Sequence, residues 1–295
     1  MNKNILSWFK SFLNRTPTDG HFESRHENGQ IKLTGSYKDG HQDGLWETYY
    51  ENGQLESKGF YKYGVENGPW ERYFESGQIK FKGHYKDNKL DGPQEWFHSN
   101  GQLREKQTYI DGKRDALWAF FYDNGQLKST GNYIVGKRNG AFEIFYHNGQ
   151  LRSHGSHKDD KREGDYRSYH ENSQLESKGL YKNGKRDGLW ESFHNNGQLE
   201  SKGNWTEGKQ GAIWETFHQN GQLKSTGKYT NGKREGPFEE FCEKGRLIVK
   251  EHYKNGKQDG VYESYDENGQ LKTRGVFNNG ELDGPSELYK DGILQ

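Results

Sequence analysis

A single cysteine, Cys242, stands in 295 residues. It cannot form an internal disulfide, which fits a reducing compartment. No apolar run approaches the ~20 residues of a membrane-spanning helix. An excess of one charge is missing too. Lys+Arg and Asp+Glu both number 43, which removes the basic footprint of a general nucleic-acid binder. Hydrophobic residues make up only 28%, against roughly 45–50% (glycine included) in average domains, so a large closed core cannot be built. What is abundant is glycine, with 40 residues, and aromatic side chains, at 15%. Disordered chains are aromatic-poor. Aromatics, glycine and balanced charge together imply thin, repeated structure.

The period is 24 residues. Asn-Gly-Gln-Leu begins at Asn52, Asn100, Asn124, Asn148, Asn196, Asn220 and Asn268, with Ile for Leu in the copy at Asn28. The central position runs from Gly29 to Gly269 in eleven copies, with Ser173 in place of one glycine. A truncated twelfth copy ends at Gly292 and Leu294. Internal repeats of this length mark a stacked architecture. Asn-Gly between alternating segments predicts a type I′ hairpin turn, in which both central residues take positive φ. A second, longer turn of the Lys182–Gly188 kind closes each copy.

A two-residue loop at Asn52-Gly53 sets Tyr50 opposite Leu55, Glu47 opposite Lys58 and Trp46 opposite Gly59. Other copies carry the same pairs, such as Glu71 with Lys82, Glu191 with Lys202 and Trp190 with Gly203. Departures change together: Gln94 faces Gln107, and Ala119 faces Thr130. Phe238 opposite Glu251 is the exception. Each opposite-charge pair contributes only ~0.2–1 kcal/mol, so its main value is register. An aromatic ring lies across the bare backbone of the glycine facing it.

Parity sorts two partly apolar faces. One carries the Trp46, Leu55 and Tyr61 positions, the other the Glu–Lys pairs and the Tyr49 aromatic column. The expected fold is all-β: an elongated, single-layer antiparallel β-meander of eleven to twelve hairpin repeats. About 23 strands at ~4.8 Å give a path of roughly 110 Å. Residues 19–295 form the repeat domain. Residues 1–18 differ in kind, with Lys3, Lys10 and Arg15 but no acid. Ile5, Trp8, Phe9 and Phe12 follow helical spacing, and Thr16-Pro17 ends the segment. A short amphipathic helix is expected there, either capping the first strand edge or lying on a membrane surface through residues 1–15.

No catalytic, cofactor or metal residues are assigned. His98, His170, His194 and His218 share one column, but successive repeats are two strands, or roughly 9.6 Å, apart. They do not converge on one ion. Each column glutamate faces a base, which keeps it ionised rather than poised. No phosphate-binding glycine loop opens a helix.

The segment Asn172 to Phe193 resembles the MORN-repeat variant of YwqK-type antitoxin proteins. It spells out the Asn-Gly-x-Leu, Gly-x-Tyr, Gly-Lys-x-Asp-Gly and Trp elements, with Ser173 as a departure. The resemblance covers about residues 19–295. It implies a non-enzymatic cytoplasmic protein that binds and neutralises a cognate toxin. The alternative is a MORN-type scaffold or membrane-associated adaptor at the inner membrane face. Candidate partner-binding residues are the rings Trp118, Trp190 and Trp214, with His170, His194 and His218. Irregular copies are the expected source of specificity, and they add Asp159, Asp160 and Arg167.

Overall fold

The computed structural model describes residues 18–290 and 293–295. It divides into two compact units, one ending at Arg138 and one beginning at Asn139. In the first unit, Gly20–Arg25, Ile31–Lys38, Gly44–Tyr49 and Leu55–Lys62 pair antiparallel, each with its neighbour in the chain. The second unit repeats the arrangement with Gly140–Phe145, Leu151–Lys158, Gly164–Tyr169 and Leu175–Lys182. Each sheet is open. The expected helix needs correcting: no helix occurs among the described residues, and the class is all-β. Ile5, Trp8, Phe9 and Phe12 lie outside the described residues.

The expected cross-strand pairs are present. Glu47 faces Lys58 and Trp46 faces Gly59. Gln94 faces Gln107, Ala119 faces Thr130, and Phe238 faces Glu251. The turn that sets this register is different from the one expected. Gly53 has φ 81°, but Asn52 is not among the positive-φ residues. Gly53 N–H donates to Tyr50 O at 2.9 Å and Tyr50 N–H to Gln54 O at 2.8 Å. This is a three-residue loop with a left-handed glycine. It brings Tyr49, rather than Tyr50, opposite Leu55. Glu56 is then a bulge residue, and it restores the register at Thr48–Ser57. The two offsets cancel beyond the bulge, so of the pairs deduced from a two-residue loop Tyr50 with Leu55 is wrong, while Glu47 with Lys58 and Trp46 with Gly59 are still correct. The Asn52 side chain selects this loop, because its Oδ1 accepts the Gln54 N–H at 2.9 Å.

Paired positive φ occurs instead at the second turn, as at Asn183 (52°) and Gly184 (82°). Beyond it, the following strand is often broken. His41–Gln42 is separated from Gly44–Tyr49, and Gly44 has φ 85°. Such breaks raise the count among the described residues to 30 strand segments, in place of about 23.

The core is a row of rings on one face. Trp46 is 2% exposed. It makes edge-to-face contacts with Tyr37 at 5.1 Å and Tyr61 at 6.2 Å, a geometry that aromatic quadrupoles favour. Its ring lies over Gly35 of the preceding repeat, although Gly59 is its partner within the hairpin. Trp70 covers Gly59, Trp190 covers Gly179 and Trp214 covers Gly203 in the same way. The indole N–H explains the lean. Trp46 Nε1 donates to Ser36 O at 3.2 Å, and Trp190 Nε1 to Leu180 O at 3.0 Å. Trp46 and Trp190 thus satisfy their donors while closing the gap above a glycine, whereas the buried Trp70 Nε1 has no hydrogen-bond partner.

Candidate interaction surface

The rings proposed as anchors are largely core. Trp190 is 3% exposed, while Trp118 and Trp214 are half-buried. Trp118 leans the other way, over its own hairpin partner Gly131. The preceding position carries Gln107 instead of glycine, so there is no bare backbone for the ring to cover.

The histidine column braces one repeat to the next. His170 Nε2 donates to Phe193 O at 2.8 Å, His194 to Phe217 O at 3.0 Å and His218 to Phe241 O at 2.8 Å. Tyr50 and Tyr146 make the same bond from the same column, each at 2.8 Å. Asparagines of the first turn do likewise. Asn172 Nδ2 donates to Asn195 O at 2.7 Å and Asn196 Nδ2 to Gln219 O at 2.8 Å. Cys242 occupies the histidine position in its copy. Backbone N–H groups of Arg246 and Lys244 hold its thiol below the usual range.

These braces lead to a specific expectation. Changing His194 and His218 together to Asp should lower stability by about 2 kcal/mol or more, because two donors are lost and carboxylates face carbonyl oxygens. His194→Tyr should be close to neutral, since tyrosine already fills this role elsewhere. Denaturant melts of both variants check the point. An unchanged midpoint in the double Asp variant would refute the bracing role.

On the opposite face, charges form a ladder. Lys58 Nζ lies 3.0 Å from Glu71, Lys178 2.7 Å from Glu191 and Lys202 2.7 Å from Glu215. Burial pushes the Glu71 carboxyl up, but the Tyr73 hydroxyl and the Lys58 ammonium outweigh it, and its pKa ends below the usual 4.5. Glu71 therefore stabilises the fold above that value, and the contribution fades as pH falls through its lowered folded pKa. Because the pair is partly exposed, the effect should stay below ~1 kcal/mol. Glu71→Gln should flatten the acid limb of a stability–pH curve by that amount. A curve that superimposes on that of the unaltered protein would contradict this.

The ladder changes at the irregular copies. Arg167 stands where other repeats have glutamate, between His154 and Lys178. Asp159 and Asp160 sit at the second turn with φ 49° and 67°. The candidate residues thus occupy different settings: core rings, first-turn braces, the second-turn edge and the charge ladder. Among them, Arg167 stands beside His154 and Lys178.

The surface that sequence reasoning missed lies beside the ladder, one residue before each core ring. Leu45, Leu117, Leu189, Ile213 and Val261 occupy that position and are exposed, Leu117 by 72% and Ile213 by 62%. Exposed apolar patches of this kind mark contact sites. The available signal was parity: a residue next to a core ring must face away from it. Grooves open along this row. One of ≈ 340 Å³ lies between Leu45 and Pro69, one of ≈ 310 Å³ between Ile213 and Pro237, and one of ≈ 530 Å³ between Pro237 and Val261.

Among the described residues, no group of three or more His, Cys, Asp or Glu is placed to hold a metal ion. No helix among them is long and apolar enough to cross a membrane.

Exposed aliphatic side chains thus recur beside the charge ladder in the braced hairpins of each unit. Ten segments match the MORN repeat variant family: residues 18–39, 42–63, 66–87, 90–111, 114–134, 138–159, 162–183, 186–207, 210–231 and 258–279. They cover well over half of the chain, which belongs to this family. Such repeats suggest a scaffold for protein or membrane interaction. The stretch between residues 232 and 257 is unmatched, and it holds the irregular Phe238–Glu251 pair. No curated protein matches. Among solved structures, the chain is similar to one titled "Crystal Structure of TcdB2-TccC3", at 10% identity and a TM-score of 0.19. That alignment covers 100% of this chain and 18% of the other. A second, "Crystal Structure of TcdB2-TccC3-Cdc42", aligns at 12% identity and a TM-score of 0.18, covering 91% and 19%. The chain spans about a fifth of the length of these structures.

Proposed function

We propose that this chain is a non-enzymatic binding protein that acts by covering a protein partner. The observation that carries the reading is the exposed aliphatic row with its adjoining grooves. Several such contacts together can supply a standard interface of roughly 1,200–2,000 Å². The resemblance of Asn172 to Phe193 to the YwqK-type pattern supports a finer form: the partner is a cognate toxin, neutralised in the cytoplasm by occlusion.

The test is recovery of the partner from the native cell by affinity capture and mass spectrometry, followed by titration of its activity. Occlusion predicts a linear loss that is complete at one equivalent, with no metal or nucleotide required. One molecule disabling many would mean turnover and would end the non-enzymatic reading.

A second reading is an adaptor at a membrane surface. Lys161, Lys185, Lys209, Lys233 and Lys257 recur at 24-residue intervals along the second-turn edge, and several of their stems lie over the turn glycines of the next repeat. Clustered lysines are attracted to anionic lipid. Sedimentation with anionic vesicles, in the absence of any captured protein, would select this reading.

A further inference from the structure

The dipeptide Asn-Gly stands at both turns of the repeat, and the two turns hold it differently. At the first turn, Asn28, Asn52, Asn100, Asn196 and Asn220 are tied at both ends of the carboxamide. Asn196 Oδ1 accepts the Gln198 N–H at 3.0 Å, and its Nδ2 donates to Gln219 O at 2.8 Å. The other four make the same two bonds. At the second turn, Asn183, Asn231, Asn255 and Asn279 precede Gly184, Gly232, Gly256 and Gly280. Among the described residues their carboxamides have no hydrogen-bond partner. Bonds at these residues come from the backbone, as from Asn183 N–H to Glu163 at 2.7 Å and from Asn255 N–H to Glu235 at 2.8 Å. Exposure does not separate the two sets, because all of these asparagines are exposed.

The difference matters for a reaction internal to Asn-Gly. The glycine amide nitrogen attacks the side-chain carbonyl carbon of the asparagine, and a new C–N bond closes a succinimide ring. The bond to the carboxamide nitrogen breaks, and that nitrogen leaves as ammonia with the glycine amide proton. Water then opens the ring at either carbonyl and leaves aspartate or isoaspartate. Glycine admits the attack because it has no Cβ to crowd it. The nucleophile is held alike at both turns, since Gly184 N–H donates to Arg162 O at 2.8 Å and Gly197 N–H to His194 O at 2.9 Å. The electrophile is not. A first-turn carboxamide must give up two hydrogen bonds before its carbon can swing toward the glycine nitrogen, and a second-turn carboxamide gives up none.

We propose that Asn183, Asn231, Asn255 and Asn279 are sites of spontaneous deamidation in the folded protein, and that the tied first-turn Asn-Gly pairs are protected. The aspartate product fits the turn in which it forms. Asp39 and Asp111 fill the same position ahead of Gly40 and Gly112, with φ 50° and 49°, close to the 52° of Asn183. Isoaspartate adds a methylene to the backbone and does not match this turn. All four sites lie in the second unit, on the edge that carries Lys185, Lys233 and Lys257. Each conversion places one negative charge there, so four conversions take the formal net charge from 0 to −4.

The test is incubation of the full chain in mildly alkaline heavy-oxygen water, followed by proteolysis and mass spectrometry, which reads the label at each converted asparagine. The second-turn sites should convert at least tenfold faster than Asn28, Asn52, Asn100, Asn196 and Asn220, a difference of about 1.4 kcal/mol in the barrier. With the chain unfolded in denaturant, both sets should convert at similar rates. Asn183→Asp should leave the melting temperature unchanged. Asn196→Asp should lower it, because a carboxylate would then face Gln219 O. Equal rates at the two turns of the folded chain overturn the proposal. So does a second turn that stays unconverted while the unfolded chain reacts, or a difference between the sets that persists in denaturant, since neighbouring sequence rather than the fold would then set the rates. A lowered melting temperature for Asn183→Asp would refute the fit of the product.

Discussion

Trp190→Ala should destabilise the second unit by about 3–5 kcal/mol, the range for removing a large buried aromatic side chain. The ring is 3% exposed. It packs edge-on to Tyr181 at 5.1 Å, and the Arg186 guanidinium lies 4.1 Å from its centre. Its loss also uncovers Gly179 and leaves Leu180 O without its indole donor. Because stacked repeats contact mainly their neighbours, hydrogen exchange should show lost protection concentrated between about residues 166 and 205. Trp214→Ala should cost less, since that ring is half-buried. Gly179→Ala is the complementary variant. A Cβ there would overlap the Trp190 ring, closer than van der Waals contact allows, and overpacking of this kind costs ~1–3 kcal/mol. In the double variant the clash disappears with the ring, so the two costs should not add. A neutral Gly179→Ala would refute the ring-over-glycine packing.

The second large effect should come from the irregular copy in the first unit. Phe81 and Gln94 are both 0% exposed, and together they fill the space above Gly83 that a tryptophan fills above Gly59. Gln94 Nε2 donates to His84 O at 3.0 Å, which reproduces the bond Trp46 makes to Ser36 O ten residues before it. Phe81 supplies the missing volume and packs 4.4 Å from Trp96. Phe81→Ala should therefore cost about 3–5 kcal/mol. Gln94→Trp should also destabilise, by about 1–3 kcal/mol, although it restores the residue common to other copies, because Phe81 already occupies the space. Phe81→Ser with Gln94→Trp recreates the regular pair and should recover most of both losses. Strictly additive costs in denaturant titrations would show that the two side chains do not share one space.

Much of this was legible in the sequence because cross-strand pairs change together. Gln94 with Gln107 and Ala119 with Thr130 revealed the register before any coordinates, since a one-residue slip would scramble both faces. The turn was misread because Asn-Gly suits two loops. The deciding bond is from the Asn52 side chain to Gln54 N–H, and the compensating bulge at Glu56 left no mark on the pairing pattern. The aliphatic row was overlooked for a related reason. Leu189 and Trp190 are both apolar, and composition does not say which of two adjacent residues is covered.

The sequence by itself determined the 24-residue period, the all-β class of the described residues, and the pairs that face one another within each hairpin. Those features are local and repeated, so each copy confirms the next. Tertiary structure alone decided which way each ring leans, which rings are buried and where the histidines point. Those choices depend on atoms in the neighbouring repeat: a bare glycine eleven residues earlier for Trp190, and a carbonyl 23 residues later for His194. Contacts at those separations join different hairpins, and their geometry is set only once the strands stand side by side.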